Sequence, residues 1–156
     1  LADYFAFDRI VACGGTYMLG SHLAKREWKE ITELCHKSVQ TMLGLKLAHV
    51  GVNTGTEETA RSTAYTMADL LRLDVAKDGA SSVFVDRYVE VMKSSYLGQH
   101  GHIAFSTPSI ERAVRYYKAI GVEFNEDSAK RAANGKLNAI YFKEEIGGFA
   151  IHFVNA

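Results

Sequence analysis

Three histidines and one glutamate stand in this chain where strand-like segments carry a single polar side chain among apolar ones. His49 enters "HVGVNT", His102 enters "HIAFST", Glu90 interrupts "YVEVM" and His152 interrupts "FAIHF". Side chains alternate faces along a strand, so Glu90 points away from Val89 and Val91, and His152 away from Ile151 and Phe153. Three imidazoles and one carboxylate suit a divalent transition metal, with room left for water or substrate. A lone strand histidine is an ordinary core or edge residue, and a lone glutamate an ordinary solvent-facing one. The four are singled out because they fall at equivalent places in a repeat.

That repeat has an offset of 53 residues, the spacing from His49 to His102. At the same offset Val50 matches Ile103, Gly51 matches Ala104, Val52 matches Phe105, Thr54 matches Thr107, Glu58 matches Glu111 and Ala60 matches Ala113. Each copy reads as β–α–β–β–β. In the first, "AHVGVN" leads to a helix over Glu57 to Leu73, then to "SSVFVD" and "YVEVMKS". In the second, "HIAFST" leads to a helix over Ser109 to Ile120 with Ser109 as its cap, then to "VEFNED", "KLNAIYFK" and "GFAIHFVN". "EEIGG" makes the last hairpin. The expected fold is α+β: paired βαβββ modules, 48–98 and 99–156, forming a curved sheet around a cleft. One such unit has an oily sheet face that it cannot cover alone.

Residues 1–47 read differently. "RIVACGG", Arg9 to Gly15, is a short buried strand running into a glycine turn, and a helix is expected from Leu23 to Leu43. Trp28, Ile31, Leu34, Cys35, Val39, Met42 and Leu43 lie on one helical face. Ser21 suits the N-cap and Gly44 the position past the end.

With 18 basic and 18 acidic residues in 156, the chain has no net charge and lacks the basic surplus of a nucleic-acid binder. No apolar stretch reaches the roughly 18 residues that span a bilayer, and no secretory signal opens the chain. Neither nucleic acid nor membrane is expected as a partner. Cys13 and Cys35 lack metal-type spacing and fit reduced thiols of a cytoplasmic protein. A start at Leu1 reads as part of something longer. Among the remaining histidines, His22 and His36 read as surface residues, and His100 lies next to the cleft. Tyr65, Met67, Tyr116 and Tyr117 are expected in the core. Lys130, Arg131 and Lys136 surround "AKRAANGK", a solvated loop or a contact for an anionic substrate.

The "H-[VI]-x-[VF]" strand, the "E-x-A" helix after it, and the "YVEVM" and "FAIHF" endings resemble the vicinal oxygen chelate superfamily. Its members include glyoxalase I, methylmalonyl-CoA epimerase, extradiol dioxygenases, and fosfomycin and bleomycin resistance proteins. The resemblance covers residues 47–156. It implies that His49, Glu90, His102 and His152 bind a divalent ion: zinc, nickel, manganese or iron(II). A glyoxalase I would carry glutamate where this chain has His152, so Glu90 is the only carboxylate of the four.

"DRIVACGGTYM" with "REWKEITELCHKSVQTMLGLKLAHVGVN" is similar to the last strand and helix of 2-keto-3-deoxy-6-phosphogluconate / 4-hydroxy-2-oxoglutarate aldolases. That resemblance covers residues 1–47 and implies phosphate contacts at Gly14, Gly15 and Thr16. The Schiff-base lysine of those barrels lies upstream of the matching segment, so aldolase activity needs residues that this chain lacks.

Together the resemblances imply a metal-dependent domain fused to such an aldolase, with lyase- or isomerase-type chemistry on a small oxo- or hydroxy-acid. The metal would bind two neighbouring substrate oxygens, and Glu90 or water would move the proton. The other readings are a non-catalytic ligand-binding or dimerisation module and an iron(II) dioxygenase. A homodimer is expected because the sheet leaves an exposed edge.

Overall fold

The computed structural model describes residues 1–5, 7, 10 and 13–156. Helix α1 (Ala2–Phe5) is followed by a 3-10 turn at Thr16–Met18 and by helices α2 (Gly20–Lys25) and α3 (Trp28–Leu43). The single helix expected over Leu23 to Leu43 is therefore broken. Arg26 takes a left-handed φ of 58°, and its N–H bonds to the carbonyls of His22 and Leu23, which ends α2. Ser21 lies inside α2; Leu19 holds the N-cap without a side-chain bond. Gly44 does end α3, with a φ of 53° and its N–H donated to the Gln40 carbonyl. Ile10 and Cys13 to Gly15 form no strand, while Arg9, Val11 and Ala12 of that expectation lie outside the described residues. Trp28 is 59% exposed and Cys35 is exposed, so the apolar stripe of α3 is covered mainly at its C-terminal end, around Leu43.

From Lys46 onward the two modules follow. The first is β1 (Lys46–Asn53), α4 (Glu57–Leu71), β2 (Val75–Asp78), β3 (Ser82–Val85) and β4 (Val89–Met92). The second is β5 (Gly101–Thr107), α5 (Ile110–Ala119), β6 (Phe124–Arg131), β7 (Leu137–Phe142) and β8 (Phe149–Asn155). All eight strands form one mixed sheet in the order β2-β3-β4-β1-β5-β8-β7-β6. The second half repeats the first in mirror order about the antiparallel β1–β5 pair. The sheet register repeats too. Gly51 pairs with Glu90 in the parallel β1–β4 ladder, and Ala104, its counterpart at the repeat offset, pairs with His152 in the parallel β5–β8 ladder. Both modules thus meet within one chain.

Alternation sends one set of strand residues to the helices and the other to the cleft. Val83, Val85 and Val91 pack on Ala60, Ala64 and Ala68, whose four-residue spacing lets α4 lie close to β3 and β4. Tyr65 falls one position off that alanine stripe and is 54% exposed, contrary to the core placement expected for it, whereas Met67 packs against the cluster. Ile140 and Phe153 pack on Ile110, Ala113 and Val114 of α5, joined by Tyr116, Tyr117 and Leu43. Thr56 caps α4 by accepting from the Thr59 N–H, and Ser109 caps α5 by accepting from the Arg112 N–H. "AKRAANGK" is less of a loop than its composition suggests: β6 runs to Arg131, and the Ala132 N–H bonds to the Lys136 carbonyl across a tight turn.

The N-terminal part docks on the outer side of the second module. Arg112, itself buried, donates to the Phe5 carbonyl (3.1 Å) and the Ile10 carbonyl (3.3 Å), with its guanidinium 4.9 Å from the Phe5 ring centre. Among the described residues, no helix is long and apolar enough to cross a membrane.

Candidate metal centre

The ladders place the four singled-out residues in two adjacent rows of the cleft face. One row runs Phe84–Glu90–Gly51–His102–Ala150 across β3, β4, β1, β5 and β8. The next runs His49–Ala104–His152–Tyr141 across β1, β5, β8 and β7. Gly51 sits between Glu90 and His102, and a Cβ there would collide with the His102 ring. The glycine is what lets that imidazole lie flat over β1 towards the acid.

The side chains converge. His49 Nε2 lies 3.2 Å from His102 Nε2 and 3.2 Å from Glu90 Oε2, and His102 Nε2 lies 3.1 Å from Glu90 Oε2. One nitrogen of each of His49, His102 and His152 lies within 4.8 Å of the others. Neither ring nitrogen of His152 has a hydrogen-bond partner although both are buried, and the same holds for His102 Nδ1. Orphaned buried nitrogens are costly and call for an explanation. Ser82 donates to the second carboxylate oxygen of Glu90 at 2.6 Å.

This geometry fits a cation. Ligands on bonds of about 2.0–2.1 Å, spread at tetrahedral or octahedral angles, stand roughly 3 Å apart, as the His49, His102 and Glu90 atoms do. A central ion would satisfy three mutually close lone-pair atoms at once, which two ring protons cannot do. His152 could then offer a lone pair that otherwise meets nothing.

The charges agree with a ligand set. Burial pushes the Glu90 carboxyl up, but hydrogen bonds from His102, His49 and Ser82 outweigh it and hold the group well below the usual carboxylate range. Burial, with repulsion from His102 and His49, lowers His152 to about 3, and the charge of Lys130 adds to that effect. A neutral imidazole and an ionised carboxylate are the forms that bind a metal.

Tyr141, Ser82 and Phe84 belong to the site and were not singled out by the sequence. Tyr141 stacks on His152, with ring centres 4.3 Å apart and planes at 11°, and meets Tyr96 edge-on at 5.8 Å. Burial and the Glu90 charge raise its hydroxyl above the ordinary phenol range, so it stays protonated. Strict alternation in "LNAIYF" places Tyr141 on the face opposite Ile140 and Phe142, and that signal was available.

The remaining candidates lie elsewhere. His22 bonds to Glu27 and His36 is exposed, while His100 packs on Phe149 at 5.6 Å and makes no contact with the four. Gly14 lines a groove of about 1030 Å³ with Tyr4, Tyr17 and Lys37; Gly15 and Thr16 do not line it. Thr16 starts only a three-residue 3-10 turn.

No family model and no curated protein matches the chain. Solved structures do. A hypothetical protein from Bacillus halodurans C-125 aligns with a TM-score of 0.53 at 18% identity, over 72% of this chain and 94% of its own. Mycobacterium tuberculosis methylmalonyl-CoA epimerase aligns at 0.52 and 14% identity, over 70% and 86%. A variant of Streptomyces coelicolor methylmalonyl-CoA epimerase in complex with 2-nitronate-propionyl-CoA aligns at 0.54 and 12%, over 71% and 96%. The chain shares the fold of these methylmalonyl-CoA epimerases, which is consistent with the fold that the vicinal oxygen chelate resemblance implies. Nothing among these neighbours supports an aldolase part.

Proposed function

We propose that this chain is a metal-dependent enzyme domain of vicinal oxygen chelate type, acting on a small oxo- or hydroxy-acid by isomerase-, epimerase- or lyase-type chemistry. The observation that carries the reading is the approach of His49 Nε2, His102 Nε2 and Glu90 Oε2 to within 3.2 Å of one another, beside two unpartnered nitrogens of His152. The four would hold zinc, nickel, manganese or iron(II). Such an ion supplies Lewis acidity towards two adjacent substrate oxygens.

The chain's own residues divide the remaining work. Glu90, held ionised, would compensate the ion's charge, and Glu90 or water would take up the substrate proton. Tyr141, held protonated, offers an O–H to a substrate oxygen. Phe84, Tyr96 and the stacked Tyr141–His152 pair wall the cleft with rings. The epimerase names among the fold neighbours are in keeping with proton chemistry beside a carbonyl.

The fusion to a 2-keto-3-deoxy-6-phosphogluconate / 4-hydroxy-2-oxoglutarate aldolase, with Gly14, Gly15 and Thr16 at its phosphate, belongs to this proposal on sequence resemblance alone. It supplies the oxo-acid substrate class.

The test is metal analysis of the purified protein after exposure to zinc, nickel, manganese and iron(II). About one ion per chain is expected, lost in His49→Ala and Glu90→Gln. Solvent-deuterium exchange into a 2-oxo-acid, followed by NMR, would then read the chemistry. Absence of a stoichiometric ion with any of the four metals would overturn the reading.

A further inference from the structure

A third row of the cleft face lies next to the histidine row, and both of its ends are lysines. The ladders pair Lys46 with Ser106, Ser106 with Val154, Val154 with Ala139, and Ala139 with Lys130. Paired residues in adjacent strands share a face. A register shift between Leu47 and His49 is what brings Lys46 onto the Ser106 side, and another around Lys130 places that residue beside Ala139. Ser106 shares the face of His102 and Ala104, and Val154 that of His152, so both lysines belong to the metal-facing side.

Three lysines elsewhere on the modules are paired with acids, while Lys77 of β2 is exposed and, like Lys46 and Lys130, has no such partner among the described residues. Lys93 Nζ lies 2.6 Å from Asp78, Lys118 Nζ 2.6 Å from Glu126 and Lys143 Nζ 2.6 Å from Glu123. Lys46 and Lys130 are exposed and make no side-chain hydrogen bond or ion pair with the described residues. The rest of their row is Ser106, Val154 and Ala139, without a carboxylate. That row therefore carries two positive charges and no carboxylate.

Resting on the reading of the cleft as a substrate site, we propose that Lys46 and Lys130 form an anion-binding pair that selects oxo- or hydroxy-acids with a second acidic group, carboxylate or phosphate, at the end remote from the chelating oxygens. Val154 stands two residues past His152 on β8, roughly 6.7 Å further along the strand. Lys46 and Lys130 stand four strand spacings apart, roughly 19 Å along the sheet, so their long stems would approach such a group from opposite walls of the cleft. A substrate whose second acid sits a few bonds from its oxo-carboxylate would span both rows. A singly charged acid would leave the lysine row empty.

Two acids with the same five-carbon chain separate the outcomes. 2-Oxoglutarate has a terminal carboxylate where 2-oxopentanoate has a methyl group. Calorimetry on protein loaded with the metal it retains, and on metal-free protein, is expected to show 2-oxoglutarate binding at least tenfold tighter. The preference should fall to within twofold in Lys46→Met/Lys130→Met, with metal stoichiometry unchanged. Equal binding of the two acids by the unaltered protein in both states, or a preference that survives in the double variant, overturns the proposal. A lysine-dependent preference in a protein that retains no metal would sustain the anion pair and sink the metal reading instead. Repeating the titration with 3-phosphoglycerate distinguishes phosphate from carboxylate as the group that is held.

Discussion

Gly51 stands directly opposite His102 in the antiparallel β1–β5 pair and opposite Glu90 in the parallel β1–β4 pair, and its missing side chain is the space that the His102 ring occupies. A methyl group in Gly51→Ala has to displace that ring or the strand beneath it. Overpacking of this kind costs about 1–3 kcal/mol, and it pushes one proposed ligand off the other three. The expected outcome is a modest fall in melting temperature with at least a tenfold loss of metal affinity by calorimetry. Unchanged affinity would show that His102 does not hold the ion.

That relationship explains what could be read before the fold was known. The four polar residues at repeat-equivalent positions were legible because a period of two fixes which strand residues share a face, and the structure brings all four together. The order of the strands was not legible. Gly51 looked like one more repeat match, and its role depends on β5 pairing with β1, which no local pattern encodes. β2 is a short "VAKD" segment with three exposed residues, so it lacks the apolar alternation that marks its neighbours. The break at Arg26 escaped for a related reason: a left-handed residue ends α2 there without a glycine to announce it. Helix caps at Thr56 and Ser109 act over three residues, and Ser109 was readable on that account. Tyr141 is marked only by its place in the alternation of β7, since a tyrosine as a residue type is as ordinary in a core as in a cleft.

Lys93 is the charged residue of β4's edge whose side chain is buried, at 7% exposure, and it ties Asp78 of β2 to Glu57 of α4. Hydrogen bonds from Lys93 and Arg61 outweigh burial and hold Asp78 below its ordinary 3.8. A carboxylate whose folded value lies below its unfolded value adds stability above the unfolded value, and that contribution fades as the pH falls through the folded one. Asp78→Asn should therefore lower the urea midpoint at pH 7, and the gap to the unaltered protein should narrow as the pH falls below 3.8. A gap of constant size across that range would show that the ion pairs add nothing to folding.

Arg112 holds the N-terminal part by two bonds from a buried guanidinium to the Phe5 and Ile10 carbonyls. Charge-assisted bonds of this type are worth about 1.5–3 kcal/mol each when one partner is removed, part of which solvent recovers. Arg112→Ala should lower stability by about 2–3 kcal/mol and speed tryptic cleavage at Lys25 and Arg26. Metal affinity should not change, because α5 packs on the sheet face opposite the cleft. Protection of the two trypsin sites equal to that in the unaltered protein would mean that α3 alone anchors the segment.

Tyr141 separates structure from chemistry within one side chain. Its ring supports His152 by stacking, and its backbone N–H is donated to Ser128 Oγ at 3.0 Å, so both contacts survive Tyr141→Phe. Only the hydroxyl is lost. That hydroxyl makes no hydrogen bond with the described residues, and burial keeps it protonated, so it has a proton to offer and no acceptor among those residues. A residue acting only by packing would show a change in melting temperature and none in ligand handling. Loss of a donor to a charged substrate oxygen costs about 1.5–3 kcal/mol, roughly ten- to 150-fold in binding or turnover. Tyr141→Phe should accordingly keep its metal and its melting temperature within about a degree while exchange of 2-oxo-acid protons slows by that factor. If exchange is unaffected, the proton donor is some other group in the cleft, and Tyr141 serves only as the platform on which His152 rests.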